Sequence, residues 1–159
     1  MTPVYQTIVD SNNGNCMQAA FASLFDLPLD DVPNFKEVTD WFQVLWQFLK
    51  RHGYEYNGLL VNPKSLGCWG EDRFLEIKEM NGINGFFFAT VNSPKFFDSV
   101  KYCDYKDHSP THAVVIDKDF NIVHDPNLAY KDIKNYPLHE YIGYNGIINI
   151  YLIEKIEEK

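Results

Sequence analysis

Helical periodicity is confined to the first third of this chain, and strand-like patterns follow it. Residues 16–25 predict one helix, which Asp26 and Pro28 end, and residues 37–52 predict a second. The later apolar runs are short and are bounded by turn residues, as strands are. Helices that precede consecutive strands favour an α+β fold, in which N-terminal helices pack on a C-terminal antiparallel sheet.

Each predicted helix carries an apolar stripe at i, i+3 and i+4 spacing. The first helix should bury a single face, formed by Met17, Ala20, Phe21, Leu24 and Phe25. The second should bury Val38, Trp41, Phe42, Leu45, Trp46 and Leu49. Gly53 is a suitable C′ residue after the second helix. We expect the aromatic residues of the second stripe to lie in the core.

Five runs of residues predict strands: 54–61, 85–91, 111–117, 121–125 and 146–153. The run 85–91 is aromatic and apolar enough for a central strand. The two runs on either side of Lys118-Asp119-Phe120 predict a hairpin. Residues 70–80 are compatible with a short helix ended by Asn81-Gly82.

Length, charge and hydropathy limit the class of protein. With 159 residues and 45% hydrophobic content, the chain predicts a single domain spanning residues 1–159. The formal charge of −8 argues against a nucleic-acid partner, because such a surface needs clustered Lys and Arg. No stretch approaches the ~18 apolar residues of a membrane span, and the first residues lack a signal-peptide pattern. We therefore expect a cytoplasmic protein with no membrane partner; the sequence leaves its oligomeric state open.

The three cysteines, Cys16, Cys68 and Cys103, are scattered and odd in number. This pattern predicts free thiols in a reducing compartment. None of them has the spacing of a metal-ligand pair, so neither a metal nor another cofactor is predicted. Cys68 and Cys103 have the pattern of ordinary structural cysteines.

Cys16 differs from the other two because it falls in the first turn of the first predicted helix. Asn15 is a good N-cap, and Gln18 can form a capping-box-like pair with it. Cys16 would then lie beside first-turn N–H groups and the positive end of the helix dipole. Thiols in such positions have pKa values of roughly 3.5–7.5. Cys16 is therefore the candidate nucleophile.

His112 is the best candidate for its base, since it begins the first strand of the predicted hairpin. A loop of residues 118–119, or of 117–120, would pair His112 directly with Asp125. Directly opposed residues have Cβ atoms ~4.5–5.5 Å apart, close enough for a carboxylate to accept from an imidazole N–H. Asp125 is therefore the candidate group that orients His112.

Another register is possible. A loop of residues 118–121 would oppose His112 to Asn127, whose amide can also hold an imidazole tautomer. Asn127 is therefore the alternative orienting residue. His124 should point to the other face of its strand, so we expect a surface or loop histidine there, as at His108. His52 and His139 fall at a helix end and in a loop.

Acyl transfer also needs donors for a developing oxyanion. The backbone N–H of Cys16 can supply one, and an upstream side-chain amide can supply the second. Asn15 is engaged as the N-cap, and Asn12 and Asn13 are plausible turn residues beside Gly14. Gln6 has no such structural role, so it is the candidate second donor.

These residues, in the order Gln6, Asn15-Cys16, Thr111-His112 and His124-Asp125-Pro126, resemble the papain-like cysteine peptidase fold. The chain is most similar to the bacteriocin-leader-processing branch of that fold. In that branch the oxyanion glutamine stands six residues before the cysteine, where this chain has Asp10. The runs 14–20 and 27–33 also resemble small single-domain proteins of bacteria and their phages.

The resemblance implies a thiol-dependent hydrolase, of peptidase or amidase and isopeptidase type, that uses Cys16, His112 and Asp125 and a covalent acyl-enzyme. Its substrate would be a peptide, a protein or a small amide in a bacterium or a phage-infected host. An acyltransferase with the same triad is an alternative. So is a phage-type binding or inhibitor module that sequesters a host molecule or protein, in which Trp41, Trp46 and Trp69 would line the cleft.

Overall fold

Two α-helices and an antiparallel sheet make up the described part of the protein. The computed structural model describes residues 1–7, 15–35, 38–61, 76–92, 112–127, 136–137 and 147–156. In chain order the elements are α1 (Cys16–Leu24), α2 (Trp41–Arg51), β1 (Tyr54–Val61), β2 (Phe87–Asn92), β3 (His112–Ile116), β4 (Asn121–His124), β5 (Tyr136–Pro137) and β6 (Ile147–Lys155). Short 3₁₀ turns cover Leu29–Asp31 and Glu76–Glu79. The α+β class predicted from the sequence is confirmed.

Within the described residues, six strands form one sheet in the order β1-β6-β2-β3-β4-β5, and every neighbouring pair is antiparallel. The last strand, β6, is inserted between β1 and β2. The aromatic strand β2 has neighbours on both sides, as its apolar composition predicted. The sheet therefore places the start of β3 and the end of β4 side by side.

Both faces of the sheet are buried. On the helix side, the Phe21 ring of α1 stacks on Phe88 of β2, with ring centroids 4.4 Å apart. On the other side, Phe87 packs in a second cluster with Ile77 and Val114. Successive residues of β2 thus point to opposite faces. All five residues of β3 are buried, so the strand that carries His112 is held on both sides.

Helix α1 is buried almost all round, which corrects the prediction of a single apolar face. Ala19, Ala22 and Ser23 are buried along with Ala20, Phe21 and Leu24 of the predicted stripe, whose other members, Met17 and Phe25, are half-buried. The sheet packs on one side of the helix, and Gln18 holds the following connector on another by donating to the carbonyl oxygens of Leu29 and Val32. Small side chains let several elements approach α1 closely, so its pattern is not that of a half-exposed helix.

The buried face of α2 matches the prediction only in part: Leu45 and Leu49 were expected in the core, and Phe48 was not. The helix begins at Trp41 and buries Leu45, Phe48 and Leu49. The aromatic residues Trp41, Phe42 and Trp46 are 39%, 41% and 40% exposed, so their assignment to the core is wrong. Phe42 lies about 70° and Trp46 about 110° around the helix from the centre of the buried face. Phe42 instead packs edge-on against Tyr56 of β1, and the Lys50 ammonium lies 4.4 Å from the Trp46 ring.

The helix ends follow the sequence signals. Asp26 adopts the left-handed conformation after α1 (φ 55°), and the N–H of Leu27 donates to the Ala22 carbonyl at 2.9 Å. This bond closes a Schellman motif. After α2, Gly53 has φ 82° and its N–H donates to the backbone carbonyl of Lys50, as expected of a C′ glycine.

Several predictions fall outside the described residues. These concern Asp10, Asn12, Asn13, Cys68, Trp69, Cys103, His108, Thr111 and His139. Most of the segment 70–80 lies outside as well, and its described end is the 3₁₀ turn Glu76–Glu79.

Gly82 allows a test of the packing that follows this turn. It has φ 54°, and a Cβ there would overlap the Phe86 carbonyl oxygen and lie 2.8 Å from the Phe87 ring. Gly53 is also left-handed, yet a Cβ there meets nothing within 4 Å. Gly53→Ala should lower the free energy of unfolding by about 1 kcal/mol through backbone strain. Gly82→Ala should lower it by a further ~1–3 kcal/mol through overpacking, measured by chemical denaturation. Equal losses in the two variants would contradict this packing.

Candidate active site

Three elements bring Cys16, His112 and Asp125 together. Cys16 is the first residue of α1, His112 is the first residue of β3, and Asp125 directly follows β4. Helix α1 packs on β3, which places the start of the helix against the start of the strand. Cys16 and His112 are each 8% exposed and Asp125 is 1% exposed, so the cluster lies just beneath the surface.

The His112 ring is held by the Asp125 carboxylate. Nε2 of His112 lies 2.5 Å from Oδ1 of Asp125, in a buried contact. The same oxygen accepts a hydrogen bond of 2.9 Å from the backbone N–H of Asn127. Since Nε2 is engaged by the carboxylate, Nδ1 is the ring nitrogen that faces the thiol of Cys16. The contact of His112 with Asp125 expected from the sequence is thus present.

On the side of the site the hairpin has the alternative register, which opposes His112 to Asn127, and it differs from both predicted registers only next to the loop. Val115 pairs with His124 and Ile116 with Ile122, so β4 carries a bulge between the two pairs. Extending the outer pair toward the site opposes His112 to Asn127, and Asp125 then lies diagonally across from His112. Diagonal neighbours are ~7–8 Å apart, within reach of a long ring side chain. The direct opposition predicted for His112 and Asp125 is therefore wrong, although their side chains meet.

The loop of the hairpin explains this register. The N–H of Phe120 donates to the Asp117 carbonyl, and Phe120 itself is left-handed at φ 60°. The Asp117 carboxylate accepts from the backbone N–H groups of Asp119 and Asn121 at 2.9 and 3.0 Å. A type I turn followed by a left-handed residue gives a three-residue loop, Lys118 to Phe120, instead of the two or four residues predicted.

His112 is favoured as the imidazolium. Burial lowers the pKa of His112. Asp125 raises it through charge attraction and a hydrogen bond, and Cys16 raises it in the same two ways, so the pKa of His112 is about 10. The folded pKa therefore lies above the ordinary value of 6.5. The interaction contributes stability that is complete below pH 6.5 and is lost as the pH rises through about 10.

Asn15 does not cap α1 as predicted. It occupies the N-cap position but makes no side-chain cap bond. Its Oδ1 instead accepts from the N–H of Thr7 at 2.9 Å, and its Nδ2 donates to Thr7 Oγ1 at 3.0 Å. Nδ2 also lies 3.3 Å from Gln18 Oε1, so the expected pairing of these two residues exists between their side chains alone. Asn15 thus ties the N-terminal segment, residues 1–7, to the residue before Cys16.

Gln6 lies in this N-terminal segment, beside the cluster. Its backbone N–H donates to the Pro126 carbonyl at 2.9 Å, one residue after Asp125. Its neighbour Thr7 is bound to Asn15, one residue before Cys16. The backbone around Gln6, the candidate second oxyanion donor, is therefore bound both to the residue after Asp125 and to the residue before Cys16.

His124 is buried, and not at the surface as predicted. It is 3% exposed, its Nε2 lies 2.7 Å from the Val4 carbonyl oxygen, and its ring meets Tyr5 edge-on at 5.1 Å. The sequence offered no signal for this contact, because it joins residues 120 positions apart. The sequence likewise offered no signal for the hydrogen bonds between Thr7 and Asn15.

A cavity of about 960 Å³ lies elsewhere, and Gly53, Met80 and Ile156 belong to its lining. Gly53 follows α2 and Ile156 follows β6, and none of Cys16, His112 and Asp125 is among the lining residues.

No protein-family model matches the chain, and no curated protein or solved structure does either. Among the described residues, no group of three or more His, Cys, Asp or Glu side chains is arranged to hold a metal ion. The described helices also include none with the length and hydropathy of a membrane span. An assignment of function therefore rests on the chemistry of Cys16 and its neighbours.

The charge state of His112 can be tested directly. In Asp125→Asn we expect the pKa of His112 to fall from about 10 toward 6.5, because burial lowers it and its carboxylate partner is gone. Cys16→Ala retains Asp125 and should cause a smaller fall. An NMR titration of the imidazole C–H signals measures both. A wild-type His112 that titrates near 6.5, or is unchanged in Asp125→Asn, would contradict the ion-pair geometry.

Proposed function

We propose that this protein is a thiol-dependent hydrolase of papain-like type that cleaves amide bonds. Cys16 is the nucleophile, His112 its acid and base, and Asp125 the group that orients His112. The observation that carries the proposal is the continuous contact from Cys16 through His112 to Asp125, in a cluster that is almost shielded from water. A nucleophile, a base and an orienting group in this sequence of contacts are the recurring parts of acyl transfer.

Each residue has a defined step. The Cys16 thiolate attacks the substrate carbonyl carbon, and the C–N bond breaks as the His112 imidazolium gives its proton to the leaving amine. Water then attacks the thioester, His112 takes its proton, and the S–C bond breaks to release the carboxylic acid. Asp125 accepts the Nε2–H of His112 throughout, so Nδ1 stays directed at the reacting atoms.

The oxyanion is assigned to two donors, the backbone N–H of Cys16 and the side-chain amide of Gln6. Cys16 begins α1, where the helix dipole is positive and no side-chain cap bond is made. Gln6 is anchored to Pro126 through its backbone, and Thr7 next to it is anchored to Asn15. These bonds support the assignment by fixing the backbone of Gln6 close to the triad.

The order of elements supports the papain-like type. Cys16, the nucleophile, starts a helix. His112, the base, and Asp125, the orienting carboxylate, follow at the adjoining ends of two adjacent antiparallel strands. The net charge of −8 favours neutral or basic peptides, proteins or small amides as substrates over acidic ones.

Alkylation tests whether Cys16 is a thiolate. We expect iodoacetamide to modify Cys16 at pH values well below ~8.5, the ordinary pKa of a thiol, because His112 supplies a neighbouring cation. His112→Gln should shift the pH midpoint of alkylation to ~8.5 or above, since a buried thiol without that cation resists ionisation. Peptide mass spectrometry separates Cys16 from Cys68 and Cys103. A wild-type midpoint near ~8.5 would contradict the proposal.

Acylation tests the chemistry itself. With p-nitrophenyl acetate we expect acetyl-Cys16 to form and then to hydrolyse, as observed by intact-mass spectrometry. Cys16→Ser is the matched control, and it should lose at least ~10³-fold in rate because a hydroxyl is far less readily ionised than a thiol. Added glycinamide separates hydrolysis from the alternative of acyl transfer, since only an acyltransferase would give mainly N-acetylglycinamide.

A binding module is the second candidate function. The observation that favours it is the exposure of Trp41, Phe42 and Trp46 on α2, because clustered exposed aromatic side chains are typical of recognition surfaces. If Cys16 alkylates as a thiolate yet p-nitrophenyl acetate leaves it unmodified, the hydrolase proposal fails and the binding module takes its place.

A further inference from the structure

His124 is a buried titratable side chain that the proposed reaction does not use. Its Nε2 lies 2.7 Å from the carbonyl oxygen of Val4. Because a carbonyl can only accept, Nε2 must carry the proton and donate it. Burial lowers the pKa of His124 below 6.5. The Val4 hydrogen bond and attraction to Asp125 oppose this shift, and repulsion from the cationic His112 adds to it. His124 is therefore a neutral donor near pH 7.

The bond from His124 is one of several that fasten the N-terminal segment. The N–H of Val4 donates to Ser23 Oγ of α1 at 2.8 Å, and the N–H of Gln6 donates to the Pro126 carbonyl at 2.9 Å. His124 and Pro126 lie on either side of Asp125, and their partners Val4 and Gln6 lie on either side of Tyr5. The segment is thus held in register with the residues on either side of Asp125.

We infer that His124 is a positioning residue: by holding Val4 it fixes Gln6 where the oxyanion forms. This inference rests on the proposed function. His124 contacts the segment two residues before Gln6, and the Asn15–Thr7 pair holds it one residue after. Without the His124 bond, Val4 keeps the bond of its N–H to Ser23 Oγ and Gln6 keeps its bond to Pro126, but the Val4 carbonyl loses its tie to β4. Displacements of ~1 Å at a donor are enough to lose much of its effect.

Two reactions of the same thiol separate this role from a general structural one. Acetylation by p-nitrophenyl acetate passes through an oxyanion and needs Gln6. Alkylation by iodoacetamide displaces iodide at a saturated carbon, forms no oxyanion, and needs only the Cys16 thiolate. A residue that positions Gln6 should therefore affect the first reaction and leave the second unchanged.

The variants are matched for shape and for donor. His124→Phe keeps a ring beside Tyr5 but has no N–H, whereas His124→Gln keeps an amide donor for Val4. We expect His124→Phe to slow acetylation of Cys16 about 10- to 100-fold, part of the loss typical of an oxyanion donor, with the alkylation rate unchanged. His124→Gln should restore most of the acetylation rate. If His124→Phe does not fold, His124→Asn, whose shorter amide stops short of Val4, replaces it.

A double-mutant cycle tests the route through Gln6. Gln6→Ala alone should slow acetylation, and adding His124→Phe to it should slow the reaction no further. Hydrogen exchange at the Val4, Gln6 and Thr7 amides should accelerate in His124→Phe and not in His124→Gln.

The possible outcomes distinguish the two proposals. If wild-type Cys16 is acetylated and His124→Phe leaves the acetylation rate unchanged, the role of His124 is overturned, whereas the proposed function is not. Equal slowing of acetylation and alkylation, or additive effects of Gln6→Ala and His124→Phe, would overturn the role of His124 in the same way. If wild-type Cys16 is not acetylated at all, the proposed function fails, and the role of His124 fails with it.

Discussion

The buried contact between His112 and Asp125 is the interaction on which the rest of the site depends. His112 cannot stay charged at this burial without Asp125, because an unpaired buried ion carries a large desolvation penalty. The N–H of Asn127 supplies a further hydrogen bond to the carboxylate, so the pair does not rely on Coulomb attraction alone. Removal of either partner from such pairs is typically destabilising by ~3–5 kcal/mol. This interaction therefore couples the chemistry of Cys16 to the stability of the hairpin.

The elements of the fold were predictable because their signals are local. The span of α1, the C′ glycine after α2 and the central position of β2 all follow from short patterns. The exact limits of the buried face of α2 did not follow. Leu45 and Leu49 belong both to the predicted stripe and to the buried face, and only the position of neighbouring elements favours Phe48 over the aromatic residues of the stripe.

The candidate site shows the same division. The proximity of His112 to Asp125 could be predicted from a hairpin signal, since any of several loop lengths brings them within reach. Which of the two predicted registers holds at the site could not be decided, because that depends on the left-handed Phe120 and on a bulge in β4. The bonds from His124 to Val4 and from Asn15 to Thr7 are contacts between chain segments, and no periodic pattern encodes them.

The insertion of β6 between β1 and β2 also limits the order in which the strands can pair during folding. Tyr54 pairs with Lys155, so β1 has no sheet partner among the described strands until a segment about a hundred residues later has been made. Long-range strand pairing of this kind slows folding, since the loop must close before its contacts form. During synthesis, Cys16 is made about a hundred residues before His112 and the strands that support it. The contact between the thiol and the imidazole therefore cannot form until β3 and β4 have left the ribosome.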